Sequence, residues 1–160
     1  MMCEIIDNYL EADEHIILKT IMETDTFPWF YNAEKVIGDT TLFHYQFVHI
    51  FYANNNENSN FFNQLNPVIN KLKPKSLIRI KANLNPVSHE LIEYNTHQDQ
   101  TFECKAAIYY LNDNDGYTMI GKEKVESKKN RIVLFKANED HYGTNSTNCK
   151  NRMVINFNYF

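Results

Sequence analysis

The rhythm of the second half of the chain constrains its fold more than any other feature. From Ser76 onward the sequence breaks into short segments, SLIRIKANL, HELIEYNTHQD, ECKAAIYYLN, GYTMIG, RIVLFKA and RMVINFNYF, most of them rich in β-branched and aromatic residues. Between them lie turn signals: Asn85-Pro86, the run Asp113-Asn114-Asp115-Gly116, and Lys129-Asn130. Short segments closed by such residues predict strands joined by tight turns, and hence a mostly antiparallel sheet system.

The first half adds helices. Ala12, Ile16, Ile17, Ile21 and Met22 fall near helical spacing, with acids early, which predicts a surface helix over 11–24 that Pro28 stops. Phe27, Trp29, Phe30 and Tyr31 form an aromatic cluster expected to pack in a core. TLFHYQFVHIFY over 41–52 predicts a strand, on which His44 and His49, five apart, face opposite sides and share no metal. Residues 61–72 have helical spacing up to Pro74. Two helices followed by about seven strands predict a mainly β, α+β domain: a β-sandwich or jelly roll carrying helices on its outer face.

Asparagine takes 22 of 160 positions while glycine and proline take 4 each, so asparagine is expected to make many of the turns through its tolerance of left-handed backbone. The length and 43% hydrophobic content predict one soluble domain over 1–160. A formal charge of -4 disfavours a protein held on a polyanion by bulk positive charge. Three cysteines, Cys3, Cys104 and Cys149, lack paired spacing and predict no disulfide framework. The acidic opening and the lack of a long apolar run predict no leader and no membrane span, hence a cytoplasmic protein, in the host cytoplasm if viral. Glycine is too scarce for a phosphate-binding loop.

Chemistry enters at His97-Gln98-Asp99. An imidazole and a carboxylate two residues apart near the start of a strand lie on one face of the sheet and can supply two metal ligands. His141, just beyond RIVLFKA, is the one histidine after that triplet, and the intervening strands can bring it back. Two imidazoles and one carboxylate leave three positions open on a metal, the arrangement suited to non-haem Fe(II) and oxygen chemistry. Arg152 opens the last strand, where a guanidinium can clamp the far carboxylate of an acidic cosubstrate; its alternative role is a surface strand residue.

The order HQD, a turn-rich hairpin, then HYGTNSTNCKNRMVINF resembles the 2-oxoglutarate- and Fe(II)-dependent dioxygenases, in particular their short phage-type and prolyl-4-hydroxylase-like members. The resemblance covers about residues 77 to 160, and PWF at 28 to 30 more loosely. It implies a double-stranded β-helix (jelly roll, cupin-like) whose metal- and cosubstrate-binding core spans 77–160, with 1–76 as helical and strand support. It also implies Fe(II), 2-oxoglutarate and O2, with His97, Asp99 and His141 as iron ligands and Arg152 on the cosubstrate C5 carboxylate. Arg79, Lys81 and Asn83, which share one strand face, match the family's strand of cosubstrate-pocket polar groups. Tyr109 and Tyr110 sit where relatives place a tyrosine near the same carboxylate; alternation admits one of them, and Tyr109 is preferred. Tyr94 is a further pocket candidate.

The chain departs from the family at one position. Where many relatives carry a serine or threonine two residues after the arginine to share the cosubstrate carboxylate, this chain has Val154, so that hydrogen bond is either absent or supplied elsewhere, and Asn156 on the same face can supply it or line the iron site. The implied reaction is hydroxylation with release of succinate and CO2. A peptidyl or prolyl side chain is the first expectation for substrate, with nucleic acid and small molecules open, and residues 54–60 and the segment after Asn85 are expected to form the rim. Two other readings are a non-catalytic jelly-roll binding or structural module and a cupin-like metalloenzyme that does not use 2-oxoglutarate.

Overall fold

In a computed structural model describing residues 3–160, the strands form two antiparallel sheets. In chain order the elements are β1 (Glu4–Ile6), α1 (Ala12–Met22), β2 (Phe30–Asn32), β3 (Gln46–Ala53), β4 (Asn56–Glu57), a 3-10 turn (Phe62–Leu65), α2 (Asn66–Leu72), β5 (Leu77–Pro86) and β6 (Lys105–Tyr110). There follow β7 (Tyr117–Ile120), β8 (Glu123–Glu126), β9 (Arg131–Lys136), β10 (His141–Gly143) and β11 (Asn151–Tyr159). The large sheet runs β1-β9-β6-β11-β5-β3-β2, with β4 beside β3; the small one runs β10-β7-β8.

Period-two alternation divides the large sheet into two faces. On β11, Met153, Ile155, Phe157 and Tyr159 join Leu18 and Met22 of α1 and Val68 of α2 in one apolar core. Val154 points the other way, with Ala106, Ile108 and Tyr110 of β6 and Val133 and Phe135 of β9, onto Ile120 and Val125 of the small sheet. The helices therefore cover one face and the small sheet the other, as expected of a jelly roll with supporting helices. Burying each large side chain, such as the fully enclosed Phe51 and Phe157, contributes about 1.5–3 kcal/mol.

The two central strands depart from this apolar pattern. Arg79, Lys81, Asn83 and Asn85 on β5, and Arg152, Asn156 and Asn158 on β11, turn polar groups toward the interior between the sheets. A polar stripe in the middle of a sheet is costly unless it is paired, and it marks where a site lies.

Local chemistry explains the ends of the elements. Glu11 and Glu14 form a reciprocal capping box on α1, and Lys73 ends α2 in the left-handed region. Of six non-glycine residues with positive φ among those described, four are asparagines: Asn8, Asn54, Asn55 and Asn130. The expectation for asparagine in turns is met at these positions.

Several expectations need correction. The strand expected over 41–52 begins only at Gln46, because Phe43 adopts φ 74 and His44 turns back onto Asp39 at 2.6 Å. His44 is therefore in a loop, while His49 lies on β3 within the Phe27, Phe51 and Phe61 aromatic cluster. Phe27 is buried as expected, but Phe30 and Tyr31 are exposed on the edge strand β2. HELIEYNTHQD is not a strand: it is irregular chain held by single bridges. The three cysteines are free.

Candidate active site

Backbone pairing, not a regular strand, brings the three candidate ligands together. His97 and His141 exchange both backbone hydrogen bonds, at 2.9 and 3.0 Å, and Glu93 bridges Thr144, which fastens 93–97 along β10. The Asp99 amide donates to the Ala137 carbonyl at 3.0 Å, just past β9. As a result one ligand atom from each of His97, Asp99 and His141 lies within 4.8 Å of the others.

Each imidazole is oriented by a carbonyl. Nδ1 of His97 meets the Asn95 oxygen at 3.1 Å, and Nδ1 of His141 meets the Glu139 oxygen at 2.9 Å. A proton on Nδ1 leaves the Nε2 lone pair to act as a ligand. His141 Nε2 is buried without a hydrogen-bond partner and lies 3.9 Å from Asp99 Oδ1. Asp99 is held by Arg79 Nη2 at 3.0 Å and Asn158 Nδ2 at 2.9 Å. Burial opposes its charge, but His141, Arg79 and the Asn158 hydrogen bond together hold its pKa below the usual carboxylate value. Burial, and then the neighbouring His141, lower the pKa of His97, which keeps it neutral and able to bind metal. Two imidazoles, one carboxylate and an orphaned buried Nε2 fit a divalent iron with open positions.

The triad and Arg152 line one pocket. The Arg152 side chain is buried, and its guanidinium donates to Ser127 Oγ at 2.8 Å, Thr118 Oγ1 at 2.8 Å and the Thr144 carbonyl at 3.3 Å. Tyr110 lies beneath it, 5.6 Å from ring centroid to guanidinium carbon. Gly116 allows this packing, since a Cβ there would come within 2.6 Å of the Arg152 side chain. No carboxylate pairs with Arg152 among the described residues. Thr144, whose carbonyl accepts from Arg152, is three residues past His141, so along extended chain at ~3.3 Å per residue that carbonyl lies within roughly 10 Å of His141.

No protein-family model matches the sequence, and no curated protein matches it. Solved structures do. A prolyl hydroxylase from Trichoplax adhaerens, in complex with a hypoxia inducible factor oxygen degradation domain peptide fragment, matches with a TM-score of 0.69 at 10% identity, over 99% of this chain and 83% of its own. An oxidoreductase of the 2OG-Fe(II) oxygenase family from Burkholderia pseudomallei matches at 0.67 and 11% identity, over 99% and 84%. A prolyl-4-hydroxylase from Pseudomonas putida matches at 0.67 and 12% identity, over 98% and 91%. The chain has the fold of the 2-oxoglutarate- and Fe(II)-dependent oxygenases.

Within this oxygenase fold, the expected residues fall into three groups. Lys81, Asn83, Tyr94, Arg152 and Asn156 line the pocket with the triad. Arg79 shares their strand face but acts as the brace of Asp99. Tyr109 is a correction: it pairs with Ile155 and so faces the helices, where its hydroxyl meets His15 at 2.6 Å and Asn130 at 2.9 Å. Tyr110, opposite Val154, is the tyrosine on the Arg152 side, and its hydroxyl donates to Thr118 at 2.8 Å. No hydroxyl stands at Val154; the hydroxyls of Thr118 and Ser127 accept from the Arg152 guanidinium instead.

The rim also differs from expectation. Residues 54–60 lie at the far end of β3 from Gln46, which lines the pocket, so they do not border the triad. The segment after Asn85 does form a rim groove with Phe43, Tyr45 and Tyr94. Sequence reasoning missed Lys35, Gln46, Thr118 and Asn158. Only Asn158 carried a signal, two residues after Asn156 on the same face.

Proposed function

We propose that this protein is a non-haem iron oxygenase that uses 2-oxoglutarate and O2 to hydroxylate its substrate, releasing succinate and CO2. The observation that carries the reading is the buried Arg152, without a carboxylate partner among the described residues, in one pocket with two imidazoles and a carboxylate. A buried, unpaired guanidinium is unfavourable unless a ligand supplies the anion.

In this reading His97, Asp99 and His141 hold Fe(II), which when bound supplies the oxygen activation that couples cosubstrate decarboxylation to substrate oxidation. Arg152 takes the C5 carboxylate in a two-point hydrogen bond and fixes the cosubstrate's direction, so that its keto-acid end meets the triad. Thr118 and Ser127 hold the guanidinium in place. The Asn83 and Asn156 side-chain oxygens, buried and unpartnered, offer acceptors along the pocket wall. Ile108 and Val154 keep that wall partly apolar and exclude water. All three metal ligands and Arg152 fall in 77–160, with 1–76 mainly as support in a single domain.

For substrate we infer a peptide, with a prolyl side chain as the first candidate, because the Trichoplax adhaerens neighbour is a prolyl hydroxylase bound to a peptide fragment. No helix among the described residues is long and apolar enough to cross a membrane, and the inferred setting is the cytoplasm. The test is succinate formation from 2-oxoglutarate with Fe(II) in air, screened with proline-containing peptides. Activity in the parent and none in Asp99→Ala supports the reading. Equal turnover in Asp99→Ala, or none in the iron-loaded parent even without added substrate, contradicts it.

A further inference from the structure

One lysine outside the core strands enters the same pocket. Lys35 belongs to the connection over 33–45 between β2 and β3, whose Ile37, Leu42 and Phe43 are exposed. Its side chain turns inward instead. The ammonium donates to the Asn85 side-chain oxygen and lies 3.3 Å from the centroid of the Tyr94 ring. Asn85 in turn donates to the Arg152 backbone carbonyl at 3.5 Å and pairs with Arg152 across β5 and β11. Lys35 is therefore docked on the wall that carries Arg152.

The charges in this pocket do not balance. Lys35, Lys81 and Arg152 line it, and none has a carboxylate partner among the described residues. Asp99 is the one acid lining it and is already matched by Arg79. The neighbouring Glu34 turns away to cap the Gly38 amide at 2.8 Å. An amide oxygen and an aromatic face are weak compensation for an ammonium withdrawn from water beside two other cations. Burial, then the charges of Arg152 and Lys81, push the Lys35 pKa well below its ordinary value, in agreement with that geometry. An anion meeting it there would stabilise its charged form.

We propose that Lys35 is a second cationic contact for the distal carboxylate of the cosubstrate, beside Arg152, and that this contact fastens the 33–45 connection over the pocket. The inference rests on the reading of the site given above. It assigns the loop a function in binding: the contact holds Phe43 and Tyr45, which line the rim groove, in place before substrate arrives.

The test is calorimetric titration of the full Mn(II)-loaded chain with 2-oxoglutarate, and with oxalate, which chelates the metal but has no distal carboxylate. Lys35→Met is expected to weaken 2-oxoglutarate binding by about tenfold or more and leave oxalate binding unchanged, with Lys35→Arg restoring most of the loss. Chymotrypsin cleavage after Leu42 and Phe43 should be slowed by 2-oxoglutarate in the parent and not in Lys35→Met. Unchanged 2-oxoglutarate affinity in Lys35→Met, or equal loss for both ligands, overturns the proposal. If the Mn(II)-loaded parent binds oxalate but not 2-oxoglutarate, the cosubstrate assignment fails and the proposal with it.

Discussion

Replacing Arg152 by methionine should separate ligand binding from folding. The guanidinium spends Nε on Ser127, one Nη2 hydrogen on Thr118 and one Nη1 hydrogen on the Thr144 carbonyl, which leaves N–H groups and the positive charge for a ligand. Removing one partner of a buried, hydrogen-bonded charge pair costs about 2–5 kcal/mol, equivalent to roughly 30- to 5,000-fold in affinity. Stability should respond quite differently. Three hydrogen bonds worth about 1 kcal/mol each are lost, but an uncompensated buried charge goes with them, so unfolding free energy should stay within about 2 kcal/mol of the parent. Titration calorimetry of the Mn(II)-loaded chain reads the first quantity and denaturant unfolding of the metal-free chain reads the second. Binding of 2-oxoglutarate within threefold of the parent would refute the assignment of Arg152. A collapse in stability with no ligand-specific loss would make it a structural residue instead.

The two adjacent tyrosines should behave differently. Tyr110→Phe removes the hydroxyl that donates to Thr118 and should weaken 2-oxoglutarate binding, whereas Tyr109→Phe should cost about 1 kcal/mol of stability through its His15 and Asn130 bonds and leave binding unchanged. Gly116→Ala forces a Cβ against Asn145 and Arg152 and should destabilise by about 1–3 kcal/mol while lowering 2-oxoglutarate affinity, read by melting and titration. Lys81 gives a pH signature. Burial and the charge of Arg79 lower its pKa from 10.5 to about 8, so between these values the unfolded chain binds more protons, and stability attributable to Lys81 rises with pH. The parent minus Lys81→Met difference in unfolding free energy should show that rise between pH 8 and 10.5, while 2-oxoglutarate affinity falls over the same range as the pocket loses charge.

The features legible in the sequence were those set by alternation and turn chemistry. The apolar sequence of Met153, Ile155, Phe157 and Tyr159 marks the buried face of β11, and its partner face holds Arg152 and Asn156 as alternation requires. His97, Asp99 and His141 converge as the motif suggested, although His97 and Asp99 lie in irregular chain bridged to β10 and to Ala137 rather than on a strand. The choice between Tyr109 and Tyr110 depended on register, which the pairing of Tyr110 with Val154 fixes and which sequence does not display. Strands of two to four residues, such as β4 and β10, are too short for any period to declare itself. Lys35 and Thr118 were hidden for a related reason: they reach the pocket from a loop and from the small sheet, through long-range packing that leaves no local pattern.

The most direct test of the account is the visible absorption of the chain when Fe(II) and then 2-oxoglutarate are added without oxygen. A weak charge-transfer band that requires both additions, present in the parent and absent in Asp99→Ala and His141→Ala, is the predicted result. A folded parent that binds iron and gives no band would contradict chelation of the keto acid at this site, and a folded parent that binds no iron would contradict the triad itself.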